Sequence, residues 1–170
     1  MHQLSRSWHP NMKNLGEIAI RVATDEDTAG ILGCLASAFE PFRRHYSPEA
    51  FLDTVLNAEM LQKRMREMHV LIAISGDRIV GTVAGIVKQQ EGHLRGMAVV
   101  RESHGTGVAL ELLDRIESWL KEQRCKRISL DTTLPLTRAM RFYEKNGYKK
   151  SGRVFDFFGM PLIEYEKELI

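Results

Sequence analysis

Two glycines one residue apart, set between an apolar strand and an amphipathic helix, are the most chemically informative feature of this chain. The segment His104-Gly105-Thr106-Gly107-Val108-Ala109 follows the run Met97 to Val100. The helix after it carries a stripe of Val108, Leu112, Leu113, Ile116, Trp119 and Leu120. The first turn of a helix has unpaired N–H groups and the positive end of a dipole. Glycine lacks a Cβ, so phosphate oxygens can approach its backbone closely. Together these features make an anion site suited to a pyrophosphate. No acid falls between Ser103 and Leu110 to repel one. Gly-x-Gly alone is a weak signal, because a turn before an ordinary helix yields the same letters.

A dinucleotide fingerprint is one rival for the loop. It wants a third Gly or Ala where Leu110 stands, although Asp131 ends the next strand as a ribose-binding acid would. Three meander-like strands precede the loop, where a doubly wound domain would begin, and the remaining chain is too short for its sheet. Other chemistries find less support. Cys34 and Cys125 are far apart, with no CxxC or Cys/His ligand spacing, so no metal is expected. Two free thiols fit a reducing, cytoplasmic location. The 24 basic and 22 acidic residues give a formal net charge of +2, without the concentrated positive charge of a nucleic-acid binder. No apolar run approaches the roughly 20 residues a bilayer demands, so no membrane partner is expected.

The elements that must position the loop are legible from periodicity. Ile18 to Val22 alternates as a strand, and Thr24-Asp25-Glu26-Asp27 caps a helix carrying Ile31, Leu32, Leu35, Ala36 and Phe39. Pro41 stops it. Ser47-Pro48-Glu49 restarts a helix through Phe51, Leu52, Val55, Leu56 and Met60. Val70 to Ile74, Ile79 to Val87 and His93 to Val100 form a meander, with turns at Gly76-Asp77 and Glu91-Gly92. After the glycine loop and its helix come a strand at Arg127 to Asp131, a helix beyond Pro135, and strands at Tyr148 to Phe157 and Leu162 to Leu169. The length suits one hydrophobic core. Residues 1–16 read as a flexible arm and 17–170 as a single domain. The class is α+β (mixed α/β), with helices on both faces of one sheet.

Two blocks of this chain resemble the GNAT superfamily of acetyltransferases. The first is the strand Met97-Ala98-Val99 with the loop His104 to Ala109 and the leucines at 110, 112 and 113. The second, more specific, is Ala139-Met140-Arg141-Phe142-Tyr143-Glu144-Lys145-Asn146-Gly147-Tyr148. The resemblance extends from Ile18 to Leu169. It departs at His104, where the family usually has Arg, at Arg101, a common Pro, and at Leu136, where many members have Asn.

The resemblance implies a central, mostly antiparallel twisted sheet of about seven strands. It implies acetyl-CoA as co-substrate, with Met97, Ala98 and Val99 pairing along the pantetheine arm. His104, Gly105, Thr106, Gly107, Val108 and Ala109 would hold the diphosphate. The strand bearing Ser129 should splay away, and a free N–H near Val99 could polarise the thioester carbonyl. Tyr143 is the implied proton donor to the departing sulfur, since a phenol (pKa about 10) is neutral at pH 7. Glu91, His93, Glu40, His45 and Tyr46 are the candidates for the base, with none assigned. The acceptor would be a small-molecule or peptide amine. A homodimer through the last two strands is open. A noncatalytic acyl-CoA-binding module and a small NAD-binding domain stand as alternatives.

Overall fold

A seven-stranded sheet in the order β1-β2-β3-β4-β5-β7-β6 organises the protein. Its strands are β1 (Ile18–Val22), β2 (His69–Ser75), β3 (Arg78–Lys88), β4 (Glu91–Val99), β5 (Arg127–Thr133), β6 (Lys149–Phe157) and β7 (Met160–Glu168). The computed structural model describes residues 17–170. The arm expected over 1–16 lies outside them. Every neighbouring pair is antiparallel except β4 and β5, which run parallel. The helices are α1 (Thr28–Phe39), α2 (Pro48–Val55), α3 (Ala58–Glu67), α4 (Val108–Glu122) and α5 (Thr137–Lys145).

Helix α4 lies close on one face because the sheet beneath it is glycine-lined. A Cβ on Gly81, Gly85 or Gly92 would run into Leu112, Ile116 or Leu120 of α4. Leu112, Leu113, Ile116 and Leu120 are buried there with Val83, Leu94, Ile128 and Leu130. Along β4, Gly92 and Leu94 face α4, so His93 and Arg95 face the other way. Helix α2 meets that second face, where Asp53 pairs with Arg95 at 3.0 Å.

The helix expected from Ser47 through Met60 is two helices. Asn57 captures the Met60 amide with its side chain, 2.9 Å away, and starts α3 afresh. Leu56 before it is left-handed, with φ 62°. The apolar spacing runs across this break, which hides it from periodicity. The turn expected at Glu91-Gly92 lies instead at Gln89 and Gln90, with φ 50° and 66°. Lys88 pairs with Glu91, so the loop has two residues, and positive φ at both is the signature of a type I′ turn. Gly92 serves packing against Leu120 rather than turning.

The two central strands separate. β4 and β5 pair from Glu91↔Arg127 to Leu94↔Leu130 and no further, yet β4 continues to Val99 and β5 to Thr133. The upper part of the seam is therefore open, as expected for the strand bearing Ser129.

Candidate functional site

The glycine loop closes the upper end of β4. Val100 donates to Val80 at 2.9 Å, then a single tight turn covers Arg101–Ser103. Gly105 and Gly107 follow with φ 75° and 88°, a region that strains any residue with a Cβ. The Thr106 hydroxyl donates to the Ser103 carbonyl, and Gly107 O accepts the Glu111 amide at 3.0 Å to begin α4. Among the described residues, no acceptor is found for the amides of Gly105, Thr106, Gly107, Val108, Ala109 or Leu110. A Cβ built on Gly105 or Gly107 would meet nothing within 4 Å. The loop is a cradle of uncommitted donors at the N-terminus of a 15-residue helix.

Strand alternation decides where the backbone of β4 points. Val100 donates toward β3, and polar groups of successive residues point to opposite edges. Val99 and Met97 therefore present their N–H and C=O to the open seam. The His104 ring confirms the direction for Val99: its Nε2–H donates to the Val99 carbonyl at 3.0 Å. That bond fixes the imidazole beside β4 and leaves the Val99 amide on the same edge. Between Thr82 and Ala84 the β3–β4 register shifts, and Gly96 takes φ 62° at this bulge.

Two groups of side chains bear on the proton transfers expected at the seam. On the α4 face, Tyr143 is 8% exposed and packs edge-on against Phe142 and Tyr148 at 5.5 and 5.7 Å. Its hydroxyl has no hydrogen-bond partner among the described residues, and burial pushes its pKa well above the ordinary phenol value. Tyr148 differs, since its hydroxyl donates to buried Glu117 at 2.8 Å. On the opposite face, His93 Nδ1 and Ser129 Oγ share a hydrogen bond of 2.8 Å, and Nε2 lies 3.4 Å from Asp131 Oδ2. Burial pulls the His93 pKa down, and the Asp131 charge opposes it. Burial likewise pushes Asp131 up, opposed by His93. Asp131 Oδ1 and Thr132 Oγ1 are buried with no partner among the described residues. These orphans sit on consecutive residues of β5, just past the point where it leaves β4.

The remaining candidates scatter. Glu91 pairs with Arg127 at 2.9 Å in the closed half of the seam. Glu40 pairs with Arg43 at 2.9 Å, with both side chains more than half exposed. His45 is exposed. The Tyr46 hydroxyl is tied to Thr133 at 2.7 Å. Tyr46, Ala50 and Phe51 form a separate small core against Phe157 and Met160, so the aromatic group braces α2 on the β6–β7 hairpin. Of these candidates, only His93 faces a second titratable group beside the point where the strands part. Asp131, its partner, escaped sequence reasoning as an acid–base residue. Alternation puts Ser129 and Asp131 on one face, but only the parallel register of β4 and β5 sets His93 beside them. A broad groove of about 680 Å³ lies elsewhere, among Arg21, Asp27, Cys34, Arg78 and Ile79. None of the predicted site residues lines it.

The described residues hold no cluster of three metal-ligating side chains and no helix long and apolar enough to cross a membrane. Cys34 and Cys125 are free and buried. A doubly wound dinucleotide-binding domain needs a parallel sheet, and one parallel pair in seven strands removes that reading.

Comparison with known proteins points in one direction. The family model described as an acetyltransferase (GNAT) domain matches residues 22–169. The chain is 29% identical over 94 residues to N-alpha-acetyltransferase 30 of Schizosaccharomyces pombe, covering 51% of this chain and 61% of that protein. It is 32% identical over 73 residues to an uncharacterized N-acetyltransferase of Methanocaldococcus jannaschii, covering 42% of this chain and 47% of that one. The matches thus span about half the length of these relatives. Among solved structures, the PaiA N-acetyltransferase of Thermoplasma acidophilum, in complex with coenzyme A, superposes with a TM-score of 0.78 at 19% identity. The superposition covers 90% of this chain and 99% of that chain.

Proposed function

The chain belongs to the GNAT acetyltransferase family, and we propose that it transfers an acetyl group from acetyl-CoA to a primary amine by direct attack. The observation that carries this reading is the run of uncommitted amides from Gly105 to Leu110 above an open strand seam. Unpaired backbone donors are rare and costly when no ligand or water meets them. A diphosphate held there, next to a strand whose Met97 and Val99 amides face the seam, sets an extended thioester arm along β4. His104, Thr106, Val108 and Ala109 complete the cradle, and Ala98 stays bonded toward β3.

The co-substrate supplies an activated acyl carbon. The chain supplies the rest. An N–H of Met97 or Val99 donates to the carbonyl oxygen as charge gathers there. The amine nitrogen bonds to the acyl carbon and passes its proton, relayed by water, to the His93–Asp131 pair further down β4. Burial favours a neutral imidazole, which has a lone pair to accept that proton. The carbon–sulfur bond breaks, and Tyr143 protonates the leaving sulfur. Burial keeps this phenol protonated, and its hydroxyl has no competing partner among the described residues. In this reading the two proton carriers serve opposite sides of the reacting carbon. Two buried free thiols support a cytosolic setting.

Thiol release from acetyl-CoA across a library of primary amines tests the reading, with calorimetry for cofactor binding. Binding with turnover is expected. Binding without turnover on any amine would favour a noncatalytic acyl-CoA-binding module. No coenzyme A association at millimolar ligand would overturn the reading. Tyr143→Phe should lower kcat by about 10² or more, within the usual range for a lost proton donor, while coenzyme A affinity holds. Unchanged turnover would remove Tyr143 from the reaction.

A further inference from the structure

Helix α3 points a cation at the seam that nothing in the described chain neutralises. Arg64 is half-buried, and it makes no hydrogen bond or ion pair among the described residues. Three arginines on the strands have partners: Arg95 has Asp53 at 3.0 Å, Arg127 has Glu91 and Glu166, and Arg153 has Glu164 at 2.8 Å. The head of Arg64 lies flush against Gly96, at the β4 bulge. A Cβ on Gly96 would collide with its terminal nitrogen. Gly96 is two residues beyond Leu94, the last residue of β4 paired with β5, and three before Val99. Three strand residues span roughly 10 Å.

The surroundings do not favour an isolated guanidinium. Its charged neighbours are Arg95, of the same sign, and Asp53, whose carboxylate already bonds Arg95. Burial and Arg95 together lower the Arg64 pKa, to about 10, so it remains charged at neutral pH. An uncompensated, partly desolvated charge is costly. A ligand anion at this point would relieve the cost. The diphosphate is held at the far end of β4, above Val99, so this anion belongs to the other reactant. The guanidinium fork matches a carboxylate in two parallel hydrogen bonds. His93 and Asp131 lie on the same face, three and more residues back along the seam, where the amine must give up its proton.

We propose that the acceptor is an amine that also carries a carboxylate, and that Arg64 binds this carboxylate. The proposal rests on the acetyl-transfer reading and narrows its substrate class to amino acids and similar amino-carboxylates. Arg64 fixes the acidic end at the Gly96 bulge, and the amine then falls between the β4 amides and His93.

Matched pairs of acceptors test it: each free amino acid against its own carboxamide, which has the same amine and no negative charge. Acetyl-CoA binding, measured by calorimetry, controls for the underlying reading. The wild-type protein should prefer the acid by at least about tenfold in kcat/KM, which corresponds to about 1.4 kcal/mol. The preference should sit mainly in KM. Arg64→Gln should collapse the acid-to-amide ratio toward one, and Arg64→Lys should keep part of it. The ratio in the wild-type protein judges the proposal even if a variant does not fold. With coenzyme A bound normally, equal use of acid and amide would overturn the carboxylate proposal and leave acetyl transfer standing. So would a preference that survives Arg64→Gln, or failure to acetylate any amino acid. Absent coenzyme A binding would instead defeat the acetyl-transfer reading, and this proposal with it.

Discussion

Below Leu94 and Leu130, β4 and β5 form an ordinary parallel ladder; above them, the same strands line an open seam. The lower half is packed and paired. Gly92 makes room for Leu120 of α4, Ile128 and Leu130 are buried, and Glu91 pairs with Arg127. The upper half breaks those habits. It has a left-handed Gly96 at a bulge, orphaned polar atoms on Asp131 and Thr132 and, among the described residues, a loop of free amides. The two buried orphans, Asp131 Oδ1 and Thr132 Oγ1, cost roughly 1–3 kcal/mol each. Such costs concentrated at one end of one seam mark the place where a ligand supplies the missing partners.

The sharpest way to break the comparison is to disable the proposed proton acceptor at the boundary between the halves. His93→Ala should lower kcat/KM by about 10² or more, with coenzyme A binding retained. Asp131→Asn gives a directional test. The pair must accept a proton, so activity falls as pH drops through the His93 pKa. Burial, the larger effect, puts that limb below the ordinary imidazole value of about 6.5, and the Asp131 charge partly lifts it. Removing the charge should move the acid limb of the kcat/KM profile to still lower pH. A limb that stays in place, or moves up, would detach Asp131 from the chemistry.

The loop should respond differently. Gly107→Ala forces a Cβ into φ 88°, at a cost of roughly 1–2 kcal/mol, and projects it into the open side of the cradle. Coenzyme A affinity should fall at least about tenfold, while kcat at saturating co-substrate changes much less. An affinity that survives would mean the amides of this loop do not carry the diphosphate.

Much of this contrast was legible in the sequence, and the part that was not has physical reasons. Strand alternation and helical spacing are local, and they located all seven strands within two residues. The glycine loop and the Ala139–Tyr148 block are contiguous, so their positions on the fold followed directly. Asn57 hid the break between α2 and α3 because an apolar face runs across it. Gln89 and Gln90 formed a left-handed turn without a glycine, while Gly92 beside them was kept for Leu120. The His93–Asp131 pair joins residues 38 positions apart through a parallel register that no local pattern encodes. Arg64 reads as one cation among several on a charged helix. Only the tertiary approach of α3 to the β4 bulge distinguishes it.

The mildest test addresses the lower half, where Glu91 began as a candidate base. Its carboxylate is 47% exposed and pairs with an Arg127 that is 37% exposed, which makes it a solvent-screened surface pair. Such pairs contribute little to stability. Glu91→Gln should therefore shift the unfolding midpoint slightly and leave kcat, KM and the pH profile as they were. The contrast with His93 carries the information, because the two residues lie two positions apart on one strand and differ in what they face. Glu91 sits at the first rung of the closed ladder, and Arg127 across from it consumes its charge. His93 sits one rung before the ladder ends, against a carboxylate with one oxygen left bare. A Glu91→Gln enzyme that lost activity as His93→Ala does would show that proton transfer reaches down into the paired half, and the division at Leu94 and Leu130 would lose its functional meaning.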